Sequence, residues 1–170
     1  IALASTLLAA PPLPPTDAEI DTIVFGSCNR EDRPQDFWAT MASHDPDLCL
    51  MIGDNVYADI RVDETGKSVM APARSQEEIR QTYRALGDDD AWTAFASEIP
   101  VLATWDDHDF GNNDAGKEWP LKRASQEVLL DFYQEPAESP RWNRDGVYHA
   151  WSFGPEGRRV QIILLRSEEH

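Results

Sequence analysis

The sequence predicts an α/β fold in which parallel strands are flanked by helices. Three short apolar runs, each ending in glycine or polar residues, have the composition of buried strands: residues 21–28, 47–54 and 99–105. Segments with helical spacing separate these runs. Alternation of strand and helix along the chain favours a parallel sheet, because each crossover helix packs back onto the sheet.

Four segments are predicted to be helices. Residues 34–44 begin with a proline and carry apolar residues at helical spacing. In residues 75–87, Ser75 is the predicted N-cap, Glu78 occupies the capping-box position and Gly87 follows the last turn. The other two predicted helices are residues 88–98, which start with an acidic run, and residues 123–134.

The end of the chain predicts a β-hairpin, in which residues 146–154 and 158–165 are joined by the turn sequence "GPEG". Residues 59–74 are predicted to form a polar loop. Its acids Asp59, Asp63 and Glu64 are interpreted as solvated surface groups.

Length and charge limit the class of protein. The 170 residues suit one domain, which we place at residues 21–170. Residues 1–20 are interpreted as a signal-peptide remnant or a linker, which predicts an exported protein, and the apolar start is too short to span a membrane. The net charge of −16, from 31 acidic and 15 basic residues, argues against nucleic acid held by a basic patch.

The two cysteines are too few for a disulfide scaffold. Both Cys28 and Cys49 lie in or beside apolar strand-like runs. The simplest interpretation of each, taken alone, is therefore a buried free thiol that packs as a small hydrophobic residue.

Each of the three predicted strands ends in residues that suit metal chemistry. In open α/β sheets, ligands bind beyond the carboxyl ends of the strands, so groups at neighbouring strand ends are expected to converge. Taken singly, most of these residues have ordinary structural explanations, such as a turn cap for the aspartate in "GD". The groups are Cys28 and Asn29 after the first strand, Asp54, Asn55, Tyr57 and Asp59 after the second, and "WDDHDFGNND" after the third.

The residue types indicate which cations such a site would hold. Thiolate, phenolate and carboxylate together suit ferric iron or zinc. Carboxylates and asparagine carbonyls suit calcium or magnesium. Two close metals bridged by a carboxylate can clamp a phosphoryl group, and a histidine beside them can protonate a leaving oxygen.

The blocks "FGSCN", "MIGDNVYAD", "VLATWDDHDFGNND" and "GVYHAWSFGPEGRRVQIILL" resemble, in order and spacing, the PhoD-like alkaline phosphatase/phosphodiesterase family of metallophosphoesterases. The resemblance extends over residues 22–165. It implies a metallophosphoesterase-like sheet core flanked by helices. It also implies a metal centre that contains Fe³⁺ together with calcium, and zinc or magnesium are the alternative metals. It also implies an exported enzyme that hydrolyses phosphate mono- or diesters through a metal-activated hydroxide.

The resemblance also implies metal ligands. Cys28 matches the iron-binding cysteine of the family's "SC" motif, and Asp54 matches its metal-bridging aspartate. Tyr57 matches the tyrosine whose phenolate binds iron. Asp107 matches the metal-binding position of the "WDDH" block, and Asn113 matches a polar residue of the same loop.

His108 matches the family's histidine near the phosphate, so the resemblance assigns it a catalytic role together with Asp107. The family also has features that do not occur here: an aspartate and arginine after the last strand, where this chain has residues 166–170, and a second half with a "GD–H" motif. We therefore expect the N-terminal part of a longer enzyme, with the C-terminal half of the same polypeptide as its partner.

An N-terminal part would form an incomplete α/β sandwich with an uncovered sheet edge and an exposed hydrophobic face. Two functions are compatible with this sequence. One is a metal-dependent phosphoesterase acting on a small phosphate ester, and the alternative is a catalytically incomplete, acidic, secreted calcium-binding fragment. A serine hydrolase has little support because the sequence has no "GxSxG" motif.

Overall fold

The computed structural model of the chain describes residues 10–165. In chain order, its strands are β1 (Ile23–Gly26), β2 (Leu48–Ile52), β3 (Ile60–Val62), β4 (Ser68–Met70), β5 (Val101–Thr104), β6 (His149–Phe153) and β7 (Val160–Leu164). Its helices are α1 (Phe37–Ala42), α2 (Gln76–Gly87), α3 (Asp90–Glu98), α4 (Asp107–Phe110) and α5 (Lys122–Phe132), and a 3₁₀ helix spans Pro140–Trp142.

The predicted parallel sheet is present, with strand order β1–β2–β5 and both pairings parallel. One face of this sheet, which includes Cys49, Met51 and Ala103, packs against the buried side chains of the helices. Burial raises the pKa of the Cys49 thiol to about 12, so this cysteine is a packing residue, as the sequence indicated. The α/β prediction is therefore confirmed.

The opposite face of the sheet is covered by the antiparallel β6–β7 hairpin, which was predicted from the "GPEG" turn. Leu48 and Leu102 of the sheet form a second apolar cluster with hairpin residues such as Phe153. Towards the carboxyl ends of the strands this face is less covered, with Phe25 68% and Ile52 42% exposed. Within the described residues, the sandwich therefore has a helical layer, a central sheet and a two-stranded second sheet.

The helix predictions hold, with shifted ends. Helix α1 is shorter than predicted, while Trp38 on it is fully buried against α3. Ser75 caps α2 by accepting a hydrogen bond from the Glu78 backbone N–H, as predicted. The Glu78 carboxylate, however, accepts from the backbone N–H of Arg74 at 2.7 Å, and Gly87 is the last helical residue.

The prediction of a structureless polar loop over residues 59–74 is wrong. Strands β3 and β4 form a short antiparallel hairpin here, and its turn is held by Asp63, which accepts hydrogen bonds from the backbone of Thr65 and Lys67. Each of these strands is only three residues long, which is too short to establish a hydrophobic period, so the sequence carries little signal for them. The hairpin is tied to α2 by an ion pair between Arg61 and Glu78 at 2.5 Å.

Two segments discussed from the sequence extend outside the described residues. One is residues 1–9, the first part of the predicted signal-peptide remnant or linker, and the other is residues 166–170. Residues 10–20 are irregular apart from a turn at Pro15, and the Ala10 backbone donates to Gln134. Among the helices that the structure describes, none combines the length and apolarity needed to cross a bilayer.

Candidate metal centre

The loops that follow β1 and β2 are joined by backbone hydrogen bonds. The N–H of Cys28 donates to the carbonyl of Gly53 at 3.3 Å, and the N–H of Asn29 donates to the carbonyl of Asp54 at 2.8 Å. Both Cys28 and Asp54 adopt left-handed backbone conformations, with φ of 55° and 51°. The carboxyl ends of two neighbouring strands therefore present these two side chains at the same edge of the sheet.

The Asp54 carboxylate is the meeting point of the predicted iron ligands. Its Oδ2 accepts hydrogen bonds from Cys28 Sγ at 3.4 Å and from the Tyr57 hydroxyl at 3.3 Å. Its Oδ1 is buried and lacks a hydrogen-bond partner among residues 10–165. Burial raises the pKa of Asp54, and the nearby negative charges of Asp106 and Asp107 also raise it.

The third strand end completes a cluster of possible metal ligands. Asp54, Asp107 and His108 each offer a ligand atom, and these atoms lie within 4.8 Å of one another. Asp107 Oδ1 accepts from the His108 backbone at 2.9 Å, and its Oδ2 accepts from the backbone of Asp114. The short helix α4, which the sequence did not predict, thus orients both predicted catalytic residues.

His108 has a partner that the sequence analysis assigned to the surface. Its Nδ1 lies 2.8 Å and 3.0 Å from the two carboxylate oxygens of Asp59, which is only 1% exposed. The interpretation of Asp59 as a solvated acid is therefore wrong, because β3 begins at the next residue and holds it inside. Burial lowers the pKa of His108, but the hydrogen bond and charge of Asp59, together with the charges of Asp54 and Asp107, outweigh burial, so the net shift of the pKa is upward.

A buried network that the sequence analysis missed supports the loop after β2. The carboxylate of Asp109, the last acid of "WDDHD", accepts from Tyr83 at 2.6 Å and from the backbone and side chain of Asn55, both at 3.0 Å. Tyr133 donates to the Asn55 side chain at 3.0 Å. Burial raises the pKa of Asp109 to about 7. The available signal was the capping-box spacing between Asp106 and Asp109, which the structure confirms.

The remaining predicted site residues are more exposed. Cys28 is exposed in the described structure, so its interpretation as a buried thiol is wrong. Asn113 is also exposed, and its side-chain amide donates a hydrogen bond to the carboxylate of Asp114. The backbone N–H of Asp114 in turn donates to the carboxylate of Asp107. Asn29 is buried, and its amide donates to the Asn55 carbonyl at 3.0 Å while its Oδ1 has no hydrogen-bond partner in the described part of the chain.

These residues fit a cation. Two buried oxygen atoms, Oδ1 of Asp54 and Oδ1 of Asn29, lack hydrogen-bond partners within the part of the chain that the structure describes, and an unsatisfied buried oxygen is costly. Burial first, and then the charge of Asp54, raise the pKa of the Tyr57 phenol. A bound cation reverses this effect, because it stabilises the ionised forms of the thiol, phenol and carboxylate together. The donor set of sulfur, phenol and carboxylate is compatible with a transition metal.

Comparisons with known proteins agree with this geometry. The family model described as PhoD-like phosphatase matches residues 23–136, a stretch that contains every predicted site residue. A solved structure titled "Structure of PhoD" superimposes with a TM-score of 0.65 at 22% sequence identity, which shows a shared fold. The alignment covers 84% of this chain and 31% of that chain, so this chain spans about a third of the solved one. No curated protein matches. Because the family model matches more than half of the sequence, the chain belongs to the PhoD-like phosphatase family.

Proposed function

We propose that this chain provides a metal centre for the hydrolysis of phosphate mono- or diesters. One observation carries the proposal: Cys28 and Tyr57 both contact Oδ2 of Asp54, whose carboxylate also clusters with Asp107 and His108. A thiol, a phenol and a shared carboxylate meet at the carboxyl edge of a parallel sheet, which is where α/β proteins bind their ligands. This position favours metal binding over a purely structural role for the three groups. Membership of a phosphatase family supports the reaction class.

The predicted ligands other than Asp54 fall into two groups by the chemistry of their donor atoms. Cys28 offers a soft thiolate and Tyr57 a phenolate oxygen, and together they suit iron, with zinc as the alternative. Asp107 and Asn113 offer oxygen and suit calcium, with magnesium as the alternative. When bound, the metals supply positive charge to the phosphate oxygens and lower the pKa of water.

The chain's own charge makes such a cation necessary for an anionic substrate. The net charge of −16 and the acids around Asp54 repel a phosphate ester in the absence of bound cations. Among residues 10–165, the carboxylates of Asp54 and Asp107 accept hydrogen bonds from Cys28, Tyr57 and backbone N–H groups, and not from an arginine or lysine. Binding of the substrate should therefore depend on metal loading rather than on basic side chains.

His108 is the residue of the cluster suited to proton transfer. Because Nδ1 contacts Asp59, Nε2 is the ring nitrogen that remains available to an ester. We assign to His108 the donation of a proton to the leaving oxygen. We assign to Asp107 the orientation of His108, because the Asp107 carboxylate accepts a hydrogen bond from the His108 backbone N–H at 2.9 Å.

The test is hydrolysis of bis(p-nitrophenyl) phosphate and p-nitrophenyl phosphate by the chain supplied with iron and calcium. Asp54→Asn should abolish turnover of both esters, because it removes the charge on which the donors converge. Glu64→Gln, in an exposed turn, removes one negative charge elsewhere and serves as the control. Undiminished turnover in Asp54→Asn would refute the proposal. Calcium binding with no turnover by the unmodified chain would instead favour the non-catalytic calcium-binding alternative.

A further inference from the structure

A cavity of about 550 Å³ lies beside the candidate metal centre and is lined by the loop after β1, by α1 and by Met51 of β2. Its lining includes Cys28 and Asn29, so the cavity begins at a predicted metal ligand. Neither Asp107 nor His108 lines it. Its volume is within the range of about 300–1,000 Å³ that is usual for small-molecule sites.

The lining of the cavity is largely apolar. Met41 and Met51 contribute to it together with the buried ring of Trp38. Phe25 and Phe37 also line it, and these two rings are 68% and 42% exposed. Large apolar side chains that stay exposed around a cavity are typical of a binding surface rather than of a packed core. The cavity therefore suits an aromatic or other large apolar group.

The charge of the lining differs from that of the chain as a whole. Arg30 and Arg33 line the cavity, and none of the described residues that line it is acidic. The two guanidinium groups share one carboxylate, that of Asp32, at 2.7 Å and 3.7 Å. The other acid of this loop, Glu31, accepts a hydrogen bond from the backbone N–H of Tyr57 at 2.9 Å. An anionic phosphate diester is therefore repelled less here than beside the carboxylates of the metal centre.

The order of the strands determines which part of an ester reaches the cavity. Cys28 follows β1, Asp54 follows β2 and His108 follows β5, and β2 lies between the other two strands. His108 and the cavity are therefore on opposite sides of Asp54. An ester whose leaving oxygen receives a proton from His108 extends its uncleaved group towards β1 and the cavity.

We propose that this cavity binds the uncleaved alcohol group of a phosphate diester and selects diesters in which that group is aromatic or otherwise large and apolar. The inference rests on the proposed function, because it requires the phosphate to bind at the metal centre. Continuity with that centre through Cys28 favours this occupant over a second copy of the chain. A monoester has no second organic group and leaves the cavity unfilled.

The first test measures binding without turnover. The chain has three methionines, of which Met41 and Met51 line the cavity and Met70 lies in β4. In ¹³C-methyl spectra of the chain loaded with zinc and calcium, both diamagnetic ions, phenylphosphonate should shift the Met41 and Met51 signals and leave Met70 unchanged. Methylphosphonate should shift them much less. The ³¹P signals of the two phosphonates report binding at the metals, and replacement of each methionine by leucine assigns the methyl signals.

The outcomes distinguish failure of this inference from failure of the proposed function. If both phosphonates bind and phenylphosphonate leaves Met41 and Met51 unchanged, the inference is overturned and the metal centre is retained. If neither phosphonate binds, the proposed function fails and this inference fails with it. Shifts of the same two signals on raising the chain concentration without phosphonate would identify a second copy of the chain as the occupant and would overturn the inference.

The second test is kinetic and fills the cavity. A Cβ at Gly26 would lie 3.9 Å from Cε of Met41 and 3.9 Å from Sδ of Met51, which is ordinary van der Waals contact, so Gly26→Val should occupy this space. Phenyl p-nitrophenyl phosphate and methyl p-nitrophenyl phosphate release the same leaving group and differ only in the uncleaved one. Their ratio of kcat/KM, phenyl over methyl, should be at least about 10-fold higher in the unmodified chain than in Gly26→Val.

A pair of matched substitutions supports the kinetic test. Phe37→Ala removes an apolar ring from the lining and should lower the same ratio of kcat/KM. Leu13→Ala should leave the ratio unchanged, because Leu13 is similarly exposed, at 41%, and does not line the cavity. Equal ratios in the unmodified chain, Gly26→Val and Phe37→Ala would overturn the inference. Absence of hydrolysis by the unmodified chain would count against the proposed function, and the phosphonate spectra would then decide whether the cavity binds the apolar group.

Discussion

Cys28 and Asp54 share a left-handed backbone conformation, with φ of 55° and 51°, and their side chains meet at 3.4 Å. For a residue other than glycine this conformation costs about 1–2 kcal/mol. Strain of this kind persists where the surrounding structure holds it in place, and it is concentrated at functional sites. Here two strained residues at adjacent strand ends direct their side chains to the same point, which indicates that the position of those side chains matters more than local stability.

The strain at Cys28 can be measured with two substitutions. Cys28→Gly and Cys28→Ala both remove the thiol, but only glycine relieves the left-handed backbone. We expect the glycine variant to be more stable than the alanine variant by about 1 kcal/mol, measured by urea denaturation of the metal-free chain. Both variants should lose iron binding equally. An alanine variant as stable as the glycine variant would show that this position is not strained.

Gly53, which precedes Asp54, should tolerate no side chain. A Cβ there would lie 2.9 Å from Cβ of Asp106, and φ is 112°. Gly66 is the matched control, because its φ is 82° but a Cβ would have nothing within 4 Å. Gly66→Ala should cost about 1 kcal/mol from the backbone alone, and Gly53→Ala about 1–3 kcal/mol more from the clash. Equal losses of unfolding free energy in the two variants would contradict the close packing at Gly53.

The buried Arg141 should be essential to stability. Its guanidinium pairs with Glu135 at 2.8 Å and donates to the carbonyls of Ala103 in β5 and Val147, at 2.7 Å and 2.9 Å. Arg141→Met leaves Glu135 uncompensated and should cost about 3–5 kcal/mol in unfolding free energy. Arg84→Met breaks an exposed ion pair and should cost at most about 1 kcal/mol. Similar losses in both variants would show that Arg141 is not a structural anchor.

Glu78 should give stability that depends on pH. Hydrogen bonds from Arg61 and Arg74 lower the pKa of Glu78 from 4.5 to about 2. Because the folded pKa is the lower one, the contribution is complete above pH 4.5 and disappears as the pH falls towards 2. Glu78→Gln should therefore destabilise the chain by about 1 kcal/mol at neutral pH, with the difference shrinking through this window. Urea titrations at several pH values check this, and a difference that grows on acidification would contradict it.

The sequence was sufficient to predict the parallel sheet, four helices and the final hairpin, because apolar runs, caps and turn residues are local signals. It also placed Cys28, Asp54 and His108 at strand ends that converge. It did not reveal the burial of Asp59, which depends on a hairpin between two strands of only three residues each. A carboxylate inside such a hairpin has the same sequence pattern as one on the surface.

The Asp109 network shows the same limit. Its donors, Asn55 and Tyr83, come from a loop and from α2, and they meet the acid only when the helices pack on the sheet. Long-range partners of this kind leave no periodic signal in the sequence. The prediction for the exposure of Cys28 is likewise wrong, because the strand before it ends at Gly26, two residues before the cysteine.

The most direct test of the metal centre is the metal content of the chain after dialysis with iron and calcium. The unmodified chain and Glu64→Gln should retain iron and show a visible iron–phenolate absorption band, which Tyr57→Phe should remove. Asp54→Asn should retain neither the band nor the iron. If Asp54→Asn binds iron and calcium as well as the unmodified chain does, then Asp54 is not the centre of this site and the account is wrong.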